Sequence, residues 1–111
     1  MIKRSLRAFA LAVLLSATQL EAAQVTITWR DNSANEAGFN IQRKLFTDPD
    51  TSYANIGQSA ANIATFVDKT VTPDVIYCYR VNAFNTSGQS PWSQPACLLA
   101  TPDGVVIVYT P

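Results

Sequence analysis

Val75 to Ser93, VIYCYRVNAFNTSGQSPWS, joins the clearest strand in the chain to its clearest loop. Tyr77, Tyr79, Val81 and Ala83 alternate with Cys78, Arg80 and Asn82, the period-2 pattern of a half-buried strand. Asn85, Ser87, Gly88 and Pro91 then end that pattern in residues that favour turns. One cysteine and one tryptophan lie in the stretch, so strand, loop and a potential cross-link are set side by side.

Working outward, Val25-Thr-Ile-Thr-Trp29 alternates apolar and hydroxyl residues and predicts a strand with Val25, Ile27 and Trp29 inward. Gly38 to Leu45 alternates again, with Phe39 and Ile41 inward and Asn40, Gln42 and Lys44 outward. Thr47-Asp-Pro-Asp50 reads as a turn, Ser52 to Ile56 as a short strand, and Ile63 to Val67 as another with Phe66 inward. Gln94 to Ala100 completes the series.

The residues Tyr77-x-Tyr79-Arg80-Val81-x-Ala83-x-Asn85-x-x-Gly88 resemble the F strand and F–G loop of a fibronectin type III domain. Val25 to Trp29 resembles the B strand, and Asp31-Asn-Ser33-x-Asn35-Glu36-x-Gly38-Phe39 resembles the B–C loop of many bacterial members. The resemblance spans roughly residues 25–102 and implies an all-β, immunoglobulin-like sandwich with a core of Trp29, Phe39, Ile41, Phe66, Tyr77, Tyr79 and Val81. It also implies a tyrosine corner at Tyr77, whose hydroxyl bonds backbone a few residues upstream. Where that family has a leucine and Pro-Gly at the E–F crossing, this chain offers Val71 and Pro73-Asp74.

Residues 1–23 read as a secretory signal: Lys3, Arg4 and Arg7 precede the apolar run AFALAVLL, and small residues recur at Ala17, Ala22 and Ala23. A bilayer span needs about 20 apolar residues, and this run ends at Ser16, so no stable membrane anchor is expected. Cuts after Ala17, Ala22 and Ala23 all remain open. Cleavage after Ala23 takes Lys3, Arg4, Arg7 and Glu21 from eight basic and eight acidic residues, leaving five against seven. That balance carries no electrostatic footprint for nucleic acid.

Cys78 and Cys97 form an even pair in a chain that reads as exported, secreted or periplasmic, and a hairpin through Asn85 to Ser93 would set them on adjacent strands. A disulfide is expected. The pair lacks C-x-x-C spacing and the chain has no histidine, which argues against a redox or zinc pair. Asp31, Ser33 and Asn35 have the spacing of the first EF-hand ligands, but Glu36 stands where glycine is needed and Gln42 where the bidentate glutamate belongs. Polar side chains bonding their own backbone account for that loop. The missing histidine also removes the usual general base, so no catalytic residue, metal or cofactor is assigned.

Two features depart from the family pattern. The signal segment runs almost directly into Val25, so strand A is expected to be missing or vestigial, unless a cut after Ala17 keeps residues 18–23 as part of one. Beyond the domain at 24–102, residues 103–111 carry an extra C-terminal strand, Val105 to Tyr109, after the turn Thr101-Pro-Asp-Gly104. It can extend the sheet beyond strand G, cover the edge of strand B, exchange between two copies as a homodimer, or pair with another protein.

The resulting expectation is a non-catalytic interaction module that binds a protein or polysaccharide partner through loops around Asn35, Glu36, Ser87, Gln89 and Trp92. Trp92 has two readings, stacking on Arg80 or standing as a binding anchor. The alternative function is structural assembly through strand exchange of Val105 to Tyr109.

Overall fold

A computed structural model describes residues 22–108, so most of the signal-like segment, and Tyr109 of the C-terminal run, lie outside the described residues. Eight strands occur among those residues: β1 (Val25–Trp29), β2 (Gly38–Leu45), β3 (Ala54–Ala60), β4 (Thr65–Asp68), β5 (Ile76–Asn85), β6 (Gly88–Gln89), β7 (Ala96–Leu99) and β8 (Gly104–Val108). They form two sheets, β4-β1-β8 and β3-β2-β5-β6, with β7 paired to β5 beside β6. The expected sandwich is therefore the architecture observed, and Trp29, Phe39, Ile41, Tyr77, Tyr79 and Val81 meet in its core, with Phe66 packed against them.

The alternating pattern of Gly38 to Leu45 produces a strand with those bounds, antiparallel to β5 along its whole length. Boundaries shift elsewhere for identifiable reasons. The strand expected at Ser52 to Ile56 begins at Ala54 because Asp50–Ser52 forms a 3-10 turn, and it continues to Ala60. Its Gly57 lets the Phe66 ring approach so closely that a Cβ there would lie 2.5 Å from ring carbons. The strand expected at Ile63 to Val67 starts instead at Thr65, because Ile63 N–H closes a turn on the Ala60 carbonyl with Asn62 at a positive φ of 65°.

The strand expected from Gln94 to Ala100 is shortened to β7, and residues 90–95 separate it from the two-residue β6. Ser90 and Ser93 each bond β5 twice in that interval. Ser90 Oγ accepts the Ala83 N–H at 2.9 Å and Ser93 Oγ the Val81 N–H at 3.0 Å, while their own amides donate to the Ala83 and Val81 carbonyls. Hydroxyls take the place of ladder carbonyls, and Pro91 and Pro95 bring no N–H that would need pairing.

β8 crosses to the smaller sheet and runs parallel to β1, in register from Val25↔Gly104 to Trp29↔Val108. Val106 and Val108 are buried in the core, whereas Val105 and Ile107 face outward and are 60% and 58% exposed. Covering the edge of the B-like strand is thus the arrangement within this chain. Ala23 also packs in the core, at 4% exposure.

Candidate functional site

Two loops at one end of the sandwich enclose an open groove of about 310 Å³. The β1–β2 loop contributes Ser33, Asn35 and Glu36, and the end of β5 with its turn contributes Phe84, Asn85, Ser87, Gln89 and Ser90. The loops are tied together: Ala37 N–H donates to the Phe84 carbonyl at 2.7 Å and Asn85 Nδ2 to the Asn35 carbonyl at 3.3 Å. Asn85 Oδ1 in turn accepts the Ser87 N–H at 2.8 Å, and Gly88 takes a φ of +142° that a side chain would disfavour. Asp31 caps the opposite wall by accepting the Ser33 N–H at 3.0 Å.

Glu36 closes the back of the groove. It is 9% exposed, and its Oε2 accepts the Asn62 N–H at 3.0 Å, which holds the positive-φ turn before β4. Its own backbone N–H, set against the opposing effect of burial and helped by Asn62, Asp31 and Ser33, keeps its carboxyl below the ordinary glutamate value. The second carboxylate oxygen, Oε1, is buried without a hydrogen-bond partner among the described residues.

Of the five loop residues singled out from the sequence, Asn35, Glu36, Ser87 and Gln89 come together in this groove. Trp92 does not line it. Its ring instead lies on the outer face of the large sheet, 4.7 Å from the Arg80 guanidinium carbon, which also sits 4.0 Å from the Tyr53 ring centroid. The stacking reading of Trp92 is therefore the geometry present, and Tyr53 is the neighbour that the sequence did not announce.

Asn40 and Asn82, placed outward by their alternation, are not open to solvent. Asn40 and Asn82 are only 8% and 1% exposed, and Cys78 is buried in its disulfide with Cys97. A row of amides crosses the strands: Gln58 Nε2 donates to Asn40 Oδ1 at 2.8 Å, Asn40 Nδ2 to Asn82 Oδ1 at 2.9 Å, and Asn82 Nδ2 to Gln89 Oε1 at 3.0 Å. One register step along, Arg80 Nε donates to Gln42 Oε1 at 2.8 Å and Gln42 Nε2 to Asn55 Oδ1 at 2.9 Å. Asn40 and Asn82 each donate and accept within their row, so both are buried without losing their hydrogen bonds.

A second polar cluster lies between the sheets. Asp68 Oδ2 accepts from Arg43 Nη1 and from the Tyr79 hydroxyl, each at 2.8 Å, and Oδ1 accepts from the Thr70 hydroxyl at 2.7 Å and amide at 3.0 Å. Burial alone would raise the Asp68 carboxyl, but Thr70, Arg43 and Tyr79 together hold it below the ordinary value. Burial and the bond to Asp68 push the Tyr79 hydroxyl upward. Sequence reading missed this cluster, although Arg43 shares the inward parity of Phe39 and Ile41, and a charge on an inward face demands a partner. With every carboxylate oxygen engaged, the cluster is a brace. At the same end, the Tyr77 hydroxyl accepts the Thr72 N–H at 2.8 Å, a corner closed five residues upstream.

No helix among the described residues is long and apolar enough to cross a membrane. No family model and no curated relative matches the chain. Solved structures do resemble it. The chain superposes on the FN1–FN3 domains of chicken CNTN1 with a TM-score of 0.64 and 18% identity, covering 73% of this chain and 27% of that one. The twitchin kinase region from C. elegans gives 0.61 at 18% identity, with 76% and 15% covered. A myokine structure gives 0.56 at 22% identity, with 74% and 86% covered. The chain thus spans a small part of the first two. Two packed sheets, a bonded tyrosine corner and these likenesses give the chain a fibronectin type III-like fold.

Proposed function

We propose that this chain is a non-catalytic interaction module, secreted or periplasmic, which binds a protein or carbohydrate partner through the groove between its β1–β2 loop and its β5–β6 turn. The observation that carries this reading is the bracing of the groove: the Ala37 N–H bonds the Phe84 carbonyl, the Asn85 side chain bonds the Asn35 carbonyl and the Ser87 N–H, and Asn35, Ser87 and Gln89 stand on its walls. Preformed polar walls over an apolar floor such as Phe84 suit a ligand bound without rearrangement. Fibronectin-type neighbours favour mediation of contacts over catalysis. A glycan array and a surface-display peptide library, each probed with the parent chain and with Asn35→Ala/Gln89→Ala, test it. Ligands lost by the double variant support the groove, and ligands indifferent to it remove the groove from the function.

Export is part of the same proposal. The Cys78–Cys97 bond suits an oxidising compartment, and Ala23 in the core favours a mature chain that begins before it, after Ala17 or Ala22. Intact mass of the exported, non-reduced protein checks both points. Free thiols on a chain starting at Met1 would overturn them.

A second reading, assembly through β8, rests on Val105 and Ile107, exposed on an edge strand that bears no charged side chain. Light scattering at two concentrations, with and without Val105→Lys, decides it: a concentration-dependent dimer abolished by lysine supports assembly, and a constant monomer excludes it.

A further inference from the structure

Arg80 is held as a receptor is held. Gln42 accepts its Nε–H at 2.8 Å, and the rings of Tyr53 and Trp92 lie against its guanidinium at 4.0 and 4.7 Å. The ion pairs among the described residues join Arg43 to Asp68 and Lys44 to Asp50, so no carboxylate there neutralises Arg80. Buried side-chain polar atoms lacking a partner are confined, among the described residues, to Trp29, Glu36 and Tyr53. Neither Nη group of Arg80 is among them, and the residue is half-buried with its Nε fixed by Gln42.

We propose that this guanidinium edge binds the carboxylate of an acidic oligosaccharide, a glycan containing uronic acid, laid across the outer face of the large sheet. A planar fork with two free N–H groups matches a carboxylate bidentately, and its restraint by Gln42 and the rings removes much of the ordering cost of binding. What flanks the fork favours a sugar. Gln42 and Asn55 form one amide row beside it, and the row ending at Gln89 forms the next. The exposed amides of these rows, Asn55, Gln58 and Gln89, still offer their remaining N–H groups and lone pairs to ring hydroxyls. The ring edges of Tyr53 and Trp92 offer apolar surface to C–H groups. Exposed aliphatic and aromatic residues that a protein partner would bury, Phe46, Ile76 and Leu99, lie at the far end of this face, beyond the disulfide. A polyanion such as nucleic acid would require many cations, whereas the other cation beside Tyr53, Lys44, is already held by the Asp48 carbonyl and Asp50.

Gln89 belongs both to the loop groove and to the row beside Arg80, and the experiment separates the two sites through residues they do not share. Parent protein is titrated with tetragalacturonate, following tryptophan fluorescence, with cellotetraose and a tetraglutamate peptide as controls. The expected result is saturable, salt-sensitive binding of tetragalacturonate, weakened about tenfold or more in Arg80→Gln and less in Arg80→Lys, which keeps the charge but loses the fork. Gln42→Glu, which places a carboxylate on Arg80 while leaving the guanidinium and its rings in place, is expected to abolish the signal with the circular dichroism spectrum retained. Asn35→Ala, which alters the groove and leaves both amide rows intact, is expected to bind through Arg80 within about twofold of the parent. Absence of saturation, unchanged binding in Gln42→Glu, equal binding of cellotetraose, or binding of tetraglutamate as tight as that of the uronate would each overturn the proposal.

Discussion

The two sheets handle their outer faces in opposite ways. On the large sheet, side chains of β3, β2, β5 and β6 bond one another in rows that follow the strand register, so Asn40 and Asn82 are buried on a face turned away from the core. On the small sheet the outward positions are Thr26 and Thr28 of β1, Val67 of β4, and Val105 and Ile107 of β8, without a charge among them. The difference teaches that the large sheet is ordered by directional bonds among neighbouring strands. The small sheet relies on what β8 buries on its inner side, and β8 arrives from the far end of the chain to run parallel to β1.

Removing β8 should break that comparison most severely. A chain ending at Pro102 loses the buried Val106 and Val108, each contributing about 1.5–3 kcal/mol, against a total stability of about 5–15 kcal/mol. It also opens the edge of β1. We expect loss of the cooperative thermal transition or self-association, read by circular dichroism and light scattering. An unchanged monomeric melt would show that the small sheet does not depend on its third strand.

Asp68 bridges the two sheets, and Asp68→Asn should cost about 3 kcal/mol in denaturant unfolding, because Arg43 is left facing a neutral amide in a largely buried site. Its pH dependence has a definite sign. Since folding lowers the Asp68 carboxyl, its stabilisation is complete above the unfolded value of about 4 and fades as pH falls through the lower folded value. The variant should therefore show a shallower acid limb below about pH 4. An acid limb as steep as the parent's would assign it to other carboxylates.

Reduction of Cys78–Cys97 tests the large sheet alone. The bond joins directly opposed residues of β5 and β7 and closes the loop that carries Ser87, Gln89 and Trp92. Cys78→Ser/Cys97→Ser should lower stability by about 3 kcal/mol in the chain-entropy model, with the melt of the double variant insensitive to reductant. The smallest effect is expected of Tyr77→Phe, which leaves the Thr72 N–H without its acceptor at a cost of about 1 kcal/mol. A neutral result there would mean that water replaces the hydroxyl at the corner.

Local chemistry was enough for much of this molecule. Gly38 to Leu45 reads as a strand because its alternation is unbroken, and the same alternation assigns Trp29, Phe39, Tyr77 and Tyr79 to the interior. The clustering of Asn35, Glu36, Ser87 and Gln89 was legible because short polar turn residues bracket strands that pair in sequence. Where the reading failed, the deciding contact was remote. Trp92 stacks on Arg80, one of the two readings its sequence offered, but Arg80 also meets Tyr53, which no spacing in the loop encodes. The strand expected from Gln94 begins only at Ala96, after a segment held to β5 by two serine hydroxyls in place of ladder partners.

What the sequence determined by itself is the set of strands, their inward faces and the pairing potential of two cysteines, since periodicity and turn residues act within a few positions. Tertiary structure alone decided that β8 lies parallel on β1, that Arg43 finds Asp68 across the sandwich, and that Arg80 is clasped by two rings from different segments. The physical reason is the same in each case. An open sheet edge, a buried charge and an exposed guanidinium specify the kind of partner they need, and only closure of the chain brings a particular residue within reach.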